Sequence, residues 1–420
     1  MRYGLIGKPL AHSFSREIHE MLGRYEYEPV ELEEHALEVF LARREFCGVN
    51  VTIPYKEAVI PHLDALSEEA KRIGAVNTIV NRDGRLYGHN TDYTGLAELV
   101  RSMGLDLSGS RVLIAGTGGT AKTAAALSKD LGAKTICMLS RSGREGALLY
   151  EEVYARQLEA DLLIQTTPSG MSPLCGETPV DLSRMPGPAA IVDVIYHPLR
   201  TRLILESENR GILARGGLLM LVSQAMASAA LFTGEPVGEA EKRQIFQSLL
   251  RERRNLVLIG MPGSGKTMLG ALLAKRLGIA FTDTDEEIVK ETGRSIPELF
   301  ESPGEEVFRD LETKIIKGLA ESGGRVIATG GGAILREENI TALRANGLLI
   351  FLDRDVDALS PDGARPLADS VEKIHDLYHE RLPLYKRAAD LTVHVCGEPQ
   401  ETAAAICDAV KNYDRETWPE

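Results

Sequence analysis

The stretch LVLIGMPGSGKT, residues 256–267, decides how the second half of this chain folds. Leu256, Val257, Leu258 and Ile259 make a short apolar run of strand-forming residues that stops at Gly260. Gly260, Gly265, Lys266 and Thr267 complete the pattern G-x-x-x-x-G-K-T, and apolar residues then recur at helical spacing over 268–277. Strand, glycine loop and helix in that order form the context in which this pattern binds phosphate. Backbone N–H groups around Gly263, Ser264 and Gly265 converge on phosphate oxygens, and the helix N-terminus adds favourable potential. Lys266 is placed to reach the β- and γ-phosphates of ATP, and the Thr267 hydroxyl to ligate Mg²⁺. A glycine turn without a ligand is the bland alternative, and the flanking strand and helix disfavour it.

The chain has 420 residues, enough for about three domain-sized units. Hydrophobic residues make up 44% and charged residues 26%, the range of globular proteins that bury a core. A net charge of −13 argues against a general nucleic-acid or membrane-surface binder, because both need positive patches. Cys47, Cys137, Cys175, Cys396 and Cys407 form no C-x-x-C pair, which disfavours zinc ligation and a disulfide framework. No apolar run approaches transmembrane length, and the first residues lack an apolar signal core. A reduced cytoplasm is the expected compartment.

In the first half, a strand near residues 3–7 leads to Ser13 and Ser15 before a helical stretch. Two hydroxyls alternating on an extended loop point the same way and suit a carboxylate; an ordinary helix cap is the competing explanation. Residues 49–53 form a strand stopped by Pro54, placing Lys56 just past its end, where α/β active sites collect. Residues 74–80 read as a third strand with the polar Asn77 inside it, and Asp92 follows a hairpin turn at Asp83-Gly84. A Lys–Asp pair at a cleft is a workable proton relay, although it can equally be a structural ion pair. Residues 110–126 make a second nucleotide-type turn, with Gly116, Gly118 and Gly119 before a helix of small residues. The next strand ends in Ser140-Arg141-Ser142, and an arginine there reads a 2′-phosphate, favouring NADP over NAD.

The segments IGKPLAHSFSREIH, NVTIPYK, GAVNTIV, GHNTD, TTPSGM, DVIYHPLRTRL and MLVSQA occur in order over residues 1 to about 245. Together they resemble the shikimate dehydrogenase family. The resemblance implies that Ser13 and Ser15 hold the substrate carboxylate. It implies that Thr52, Asn77 and Gln224 contact ring hydroxyls, with Tyr196 beside the same pocket. Lys56 and Asp92 would be the catalytic pair, and Gly116, Gly118, Gly119, Ser140, Arg141 and Gly217 would hold NADP(H). The chain departs from the family at the glycine loop, AGTGGTAKT, and at the strand-end triplet, SRS. A short spacing between Arg144 and Asp161 also implies that the cofactor half lacks a helix or carries a trimmed one.

After a charged segment at 235–254 comes the phosphate loop. Residues 280–285 read as a strand ending in Asp283-Thr284-Asp285, whose alternate carboxylates point to one side; one serves Mg²⁺ and the other a substrate hydroxyl. Acidic residues capping a helix are the alternative. Two helices carry Arg309, a strand ends in Gly330-Gly331-Gly332, and a polar loop with Arg365-Pro366-Leu367 reads as a lid. These segments resemble the shikimate kinase family over residues 255 to about 412, including the pattern GE-x-x-F-R-x-x-E. The resemblance implies that Asp285, Arg309, Gly331 and Arg381 bind shikimate. Thr267 and Asp283 would serve Mg²⁺, and Lys266 and Arg365 would stabilise the transferred phosphoryl group.

The expected fold class is α/β. An α/β substrate lobe (1–100, completed by helices of about 218–250) and a Rossmann-like NADP lobe (101–217) precede a P-loop kinase domain (251–420) with a parallel five-stranded sheet. The expected activities are reduction of 3-dehydroshikimate with NADPH and phosphorylation of shikimate with ATP and Mg²⁺. The alternatives are an active kinase joined to a non-catalytic or a quinate-type dehydrogenase lobe. The expected partners are these small molecules, with no nucleic acid and no membrane. The loop between Leu352 and Arg365 is about four residues short for the kinase family, and the arginine that stacks on adenine there has no clear equivalent; Arg354, at a strand end, is the candidate substitute. Slower turnover or weaker ATP binding is therefore predicted; an ordinary Michaelis constant for ATP would contradict it.

Overall fold

The computed structural model describes residues 2–10, 13–302, 304–359 and 370–417. Chain contacts divide it into two compact units, Met1–Leu249 and Leu250–Glu420.

In the first unit, the strands Tyr3–Gly7, Tyr27–Glu31 and Gly48–Val51 run parallel. The hairpin of Thr78–Arg82 and Arg85–His89 adds antiparallel to Gly48–Val51, and Ala65–Leu66 closes the far edge of a six-stranded sheet. Asp83 and Gly84 turn the hairpin with φ of 53° and 80°, the two positive φ values of a type I′ turn, which Asp-Gly supplies. Its register sets Asn50 opposite Thr78 and Thr78 opposite His89. The strand starts at Thr78, later than the apolar run over 74–80 suggested. Ser67 caps the helix Glu68–Ile73 by accepting from the Ala70 N–H, and Gly74 ends that helix in the left-handed region, so residues 74–77 are connection.

A second six-stranded sheet is wholly parallel: Arg111–Ala115, Thr135–Ser140, Leu148–Leu149, Leu162–Gln165, Ala190–Asp193 and Leu213–Arg215. Numbered within this lobe, its strands lie 3-2-1-4-5-6, the doubly wound order whose ligand crevice opens between strands 1 and 4. Leu162–Gln165 and Ala190–Asp193 are buried throughout, as a sheet covered on both faces requires. The helix Tyr150–Arg156 has only 7 residues, the trimmed connection expected from the short spacing. The long helix Leu218–Thr233 returns to the first sheet's helices: a Cβ on Gly95 would lie 2.5 Å from the Met220 carbonyl oxygen.

The second unit holds five parallel strands, Asn255–Ile259, Ala280–Asp283, Arg325–Ala328, Gly347–Asp353 and Leu391–His394, in the order 2-3-1-4-5. Its central strand, Asn255–Ile259, is buried along its whole length and feeds the phosphate loop. One expectation is corrected here. The strand into the Asp-Thr-Asp stretch stops at Asp283, whose carboxylate accepts from the Asp285 N–H at 2.9 Å and caps the helix Thr284–Thr292. Asp285 therefore sits on a helical first turn and not on an extended segment. An acid followed by Thr-Asp-Glu-Glu is a strong helix start, because both the cap and the acidic first turn stabilise the helix's positive end.

Gly217 precedes the helix Leu218–Thr233 where a Cβ would overlap the Val194 carbonyl. Replacing Gly217 with Ala is expected to cost the first unit about 1–3 kcal/mol, read as a lower denaturation midpoint; an unchanged midpoint contradicts this packing.

Candidate active sites

Lys56 leaves the turn after Gly48–Val51, and its Nζ donates to Asp92 Oδ2 at 2.6 Å and to Thr120 Oγ1 at 3.2 Å. Asp92 lies on the first turn of the helix Thr91–Ser102, which Asn90 caps. Thr120 lies on the first turn of the helix Gly119–Asp130, just past the dinucleotide-type glycines. Asn77 Nδ2 donates to Asp92 Oδ1 at 2.9 Å and to Gln224 Oε1 at 3.4 Å. The fold thus brings Lys56, Asp92, Asn77 and Gln224 together. Thr120 was missed in the sequence, although its place directly after Gly118-Gly119 was a usable signal.

A buried chain of hydroxyls and amides continues from this cluster. Thr91, Thr78 and Ser228 place their Oγ atoms within 3.2 Å of one another. Asn50 Nδ2 donates to Thr78 Oγ1 at 3.0 Å and to Ser228 Oγ at 2.8 Å, and the Tyr27 hydroxyl donates to Asn50 Oδ1 at 2.8 Å. Tyr27 in turn meets the Ser15 side chain. His19 stacks on Tyr27 at 4.0 Å and 16° and its Nδ1 hydrogen-bonds with the Tyr25 hydroxyl at 2.7 Å; burial drives its pKa down to about 3, so its ring is neutral.

Ser13 and Ser15 hydroxyls approach to 3.1 Å. They do not share one extended loop as expected: Ser15 is the first residue of the helix Ser15–Leu22. The cap position belongs to Phe14, with no side-chain cap bond, while Ser13 Oγ accepts from the Ser15 N–H at 3.3 Å. The Phe14 ring packs on Tyr196 at 5.1 Å, which brings Tyr196 to the serine turn. Thr52 is half-buried past the end of Gly48–Val51 and makes no side-chain hydrogen bond among the described residues.

In the second lobe, Gly116 follows Arg111–Ala115, its N–H donating to the Leu139 carbonyl at 2.9 Å. Gly118 caps the helix Gly119–Asp130 without a side-chain bond, and nothing lies within 4 Å of its Cβ position. That leaves an open helix N-terminus at the switch crevice, a fit for a dinucleotide pyrophosphate. Ser140 ends the neighbouring strand, and Arg141 is exposed beyond it. Asp193 is fully buried and accepts from Thr201 Oγ1 at 2.7 Å and from the Ile195 N–H at 3.0 Å. It anchors the loop that carries Tyr196, and burial raises its pKa to about 7 against those two hydrogen bonds.

In the second unit, Lys266 Nζ donates to the carbonyls of Gly260 and Met261, both at 2.8 Å. Thr267 Oγ1 donates to Asp283 Oδ2 at 2.6 Å, a hydroxyl–carboxylate pair beside the phosphate loop that fits a Mg²⁺ shell completed by phosphate and water. Among the described residues, no group of three or more His, Cys, Asp or Glu is set to hold a metal on its own. The turn Gly330-Gly331-Gly332 collects the remaining candidates. A Cβ on Gly330 would lie 2.7 Å from Glu312 Oε1 and 2.8 Å from Asp285 Oδ1, and one on Gly332 would overlap the Arg309 guanidinium. Arg381 Nη1 and the Tyr385 hydroxyl donate to the Gly331 carbonyl at 3.2 and 2.5 Å. Arg309 donates to Glu312 Oε2 at 2.7 Å and to Glu305 Oε1 at 3.2 Å. Glu312 is fully buried; desolvation raises its pKa against the pull of Arg309. Arg365 lies outside the described residues.

A doubly wound lobe opening onto a lysine–carboxylate pair defines a two-lobed dehydrogenase. A phosphate loop facing a turn ringed by arginines defines a small-molecule kinase. Residues 5–79 match the model of the shikimate dehydrogenase substrate binding domain, and residues 262–411 match that of shikimate kinase. The chain is 38% identical over 272 residues to the shikimate dehydrogenase (NADP(+)) of Geobacillus kaustophilus, covering 59% of this chain and 99% of that one. It is 36% identical over 247 residues to the same enzyme of Clostridium beijerinckii, covering 55% and 91%. Among solved structures, shikimate dehydrogenase 1 of Peptoclostridium difficile is 34% identical with a TM-score of 0.56, covering 59% of this chain and 98% of that one. The Thermus thermophilus enzyme, solved with NADP(H) and shikimate, is 32% identical with a TM-score of 0.53, covering 59% and 99%. The chain belongs to the shikimate dehydrogenase family and carries a shikimate kinase domain behind it. Among the described residues, no helix is long and apolar enough to cross a membrane.

Asp193 gives a signed pH test. Its folded pKa of about 7 stands above the ordinary 3.8, so the native state holds a proton that the unfolded chain releases. The stability from this group is complete below the ordinary value and is lost as pH rises through about 7. Asp193→Asn, which cannot ionise, is expected to melt with a flatter pH dependence between those limits; parallel curves for the two proteins contradict the buried, protonated carboxyl.

Proposed function

We propose that this chain catalyses two successive steps on one cyclohexene acid: NADPH-dependent reduction of 3-dehydroshikimate to shikimate, then ATP-dependent phosphorylation of shikimate to shikimate 3-phosphate. The observation that carries the first step is the Lys56 ammonium held 2.6 Å from Asp92, with Asn77 on the other carboxylate oxygen.

NADPH supplies the hydride when bound at Gly116, Gly118, Gly119, Ser140, Arg141 and Gly217. Ser13 and Ser15 hold the substrate carboxylate, while Thr52, Asn77 and Gln224 orient ring hydroxyls and Tyr196 borders the pocket. Lys56 Nζ passes a proton to the ketone oxygen as that oxygen gains charge, and Asp92 keeps the ammonium aimed. Thr120, reaching Lys56 from the cofactor lobe, steadies the same ammonium.

For the kinase step, Arg309 and Arg381 grip the carboxylate of shikimate, the pairing that planar guanidiniums favour. Asp285 accepts a hydrogen bond from the attacking hydroxyl beside Gly331. Lys266 and Arg365 neutralise charge on the phosphoryl group in flight, and Thr267 and Asp283 serve Mg²⁺. This is the division that phosphoryl transfer needs: positioning plus cationic clamps. A reducing cytoplasm suits cysteines that form no disulfide among the described residues.

The test supplies 3-dehydroshikimate and NADPH, follows NADPH loss, then adds ATP and Mg²⁺ and looks for shikimate 3-phosphate. Lys56→Ala is expected to slow NADPH oxidation by about 10²–10⁴-fold while still phosphorylating added shikimate. NADPH oxidation at the wild-type rate by that variant would refute the role given to the amine.

A further inference from the structure

One cation beside the phosphate loop, offered above only as a substitute for an adenine-stacking arginine, has another setting in the structure. Arg354 directly follows the strand Gly347–Asp353, which pairs with the central strand Asn255–Ile259. The two strand ends are close: the Leu352 carbonyl oxygen comes within 2.9 Å of a Cβ position on Gly260. Arg354 is half-buried, and its Nη1 reaches to 3.9 Å from the Cβ position of Gly265. Gly265 is the N-cap of the helix Lys266–Leu277, with no side-chain cap.

That position is electrostatically unfavourable for an unaccompanied cation. A helix N-terminus carries positive potential, and the Arg354 guanidinium makes no ion pair or hydrogen bond with any described residue. The flanking carboxylates are engaged elsewhere: Asp353 accepts from the Tyr378 hydroxyl at 3.4 Å, and Asp355 caps its own turn by accepting from the Asp357 N–H at 3.1 Å. A second unmet group lies in the same loop. Ser264 is fully buried, and its Oγ has no hydrogen-bond partner among the described residues. Lys266, meanwhile, rests on two loop carbonyls. An anion seated in the loop would satisfy the helix end, the Ser264 hydroxyl and the guanidinium fork together.

We propose that Arg354 is a polyphosphate-contacting residue of the kinase site, binding the phosphate chain of the nucleotide and not its adenine. This deepens the kinase reading and rests on it. The arginine's place at the loop, and not over a base pocket, sets the contact on phosphate.

The test is calorimetric binding of ATP and of inorganic tripolyphosphate, each with Mg²⁺, to the full chain and to Arg354→Ala and Arg354→Lys. Loss of one charge-assisted contact is expected to weaken both ligands by about tenfold in Arg354→Ala, with a smaller loss in Arg354→Lys. Shikimate affinity and the melting temperature should not move in either variant. Unchanged ATP affinity overturns the proposal. So does a loss for ATP without a loss for tripolyphosphate, which would place the contact on the nucleoside, and so does an equal loss for shikimate, which would mean a distorted site. Failure of the kinase reading itself would look different: the unsubstituted chain would then bind ATP without transferring phosphate to shikimate.

Discussion

The Lys56 ammonium is largely withdrawn from water, and a buried charge is tolerated only when it is paired and hydrogen-bonded. That single requirement organises the first unit. Its partners come from two segments separate from its own turn: the helix holding Asp92 and the helix of the second lobe holding Thr120. Asn90 adds a third tie, donating to the Ala75 carbonyl of the 74–77 connection at 2.9 Å and to Thr123 Oγ1 of the second-lobe helix at 3.2 Å while capping the Asp92 helix. The crevice between the lobes is therefore defined by where a charge has to be satisfied, and the pair that satisfies it is the one we propose for the proton transfer.

The second unit meets a similar need with bare backbone. Three consecutive glycines let Glu312, Asp285 and Arg309 close around one turn where any side chain would collide. Arg381 and Tyr385, one helical turn apart on the helix Val371–Ala388, both converge on the Gly331 carbonyl. Glu312 supplies the buried counter-charge that fixes the Arg309 fork. Guanidiniums held this way need little rearrangement to receive a carboxylate.

Local chemistry was legible in the sequence. The phosphate loop, the Asp83-Gly84 turn and the polar Asn77 within an apolar run each announce themselves within a few residues. So did the short helix of the cofactor lobe, since it follows from spacing. The Asp283–Asp285 stretch was misread because strand alternation and helix capping both place carboxylates there, and the acidic residues that follow tip the balance to a helix. Thr120, Thr78, Ser228 and Asn50 were not visible as members of the polar network around Lys56 and Asp92. Each is an ordinary polar residue whose role comes from neighbours far away in the chain, as in the contact of Asn50 with Ser228. Glu312 was visible in a motif, but its burial and its place against Gly330 were not. Arg354 stood out only as a strand-end substitute for an adenine-stacking arginine; its lack of a partner among the described residues is a property of the fold.

The most direct measurement is the stoichiometry of shikimate binding to the full chain by calorimetry, without added nucleotides. Two sites per chain are expected, with Ser15→Ala abolishing one and Arg381→Ala abolishing the other. A single site, or the loss of both sites in either variant, would contradict the claim that one polypeptide recognises the same acid in two separately built clefts.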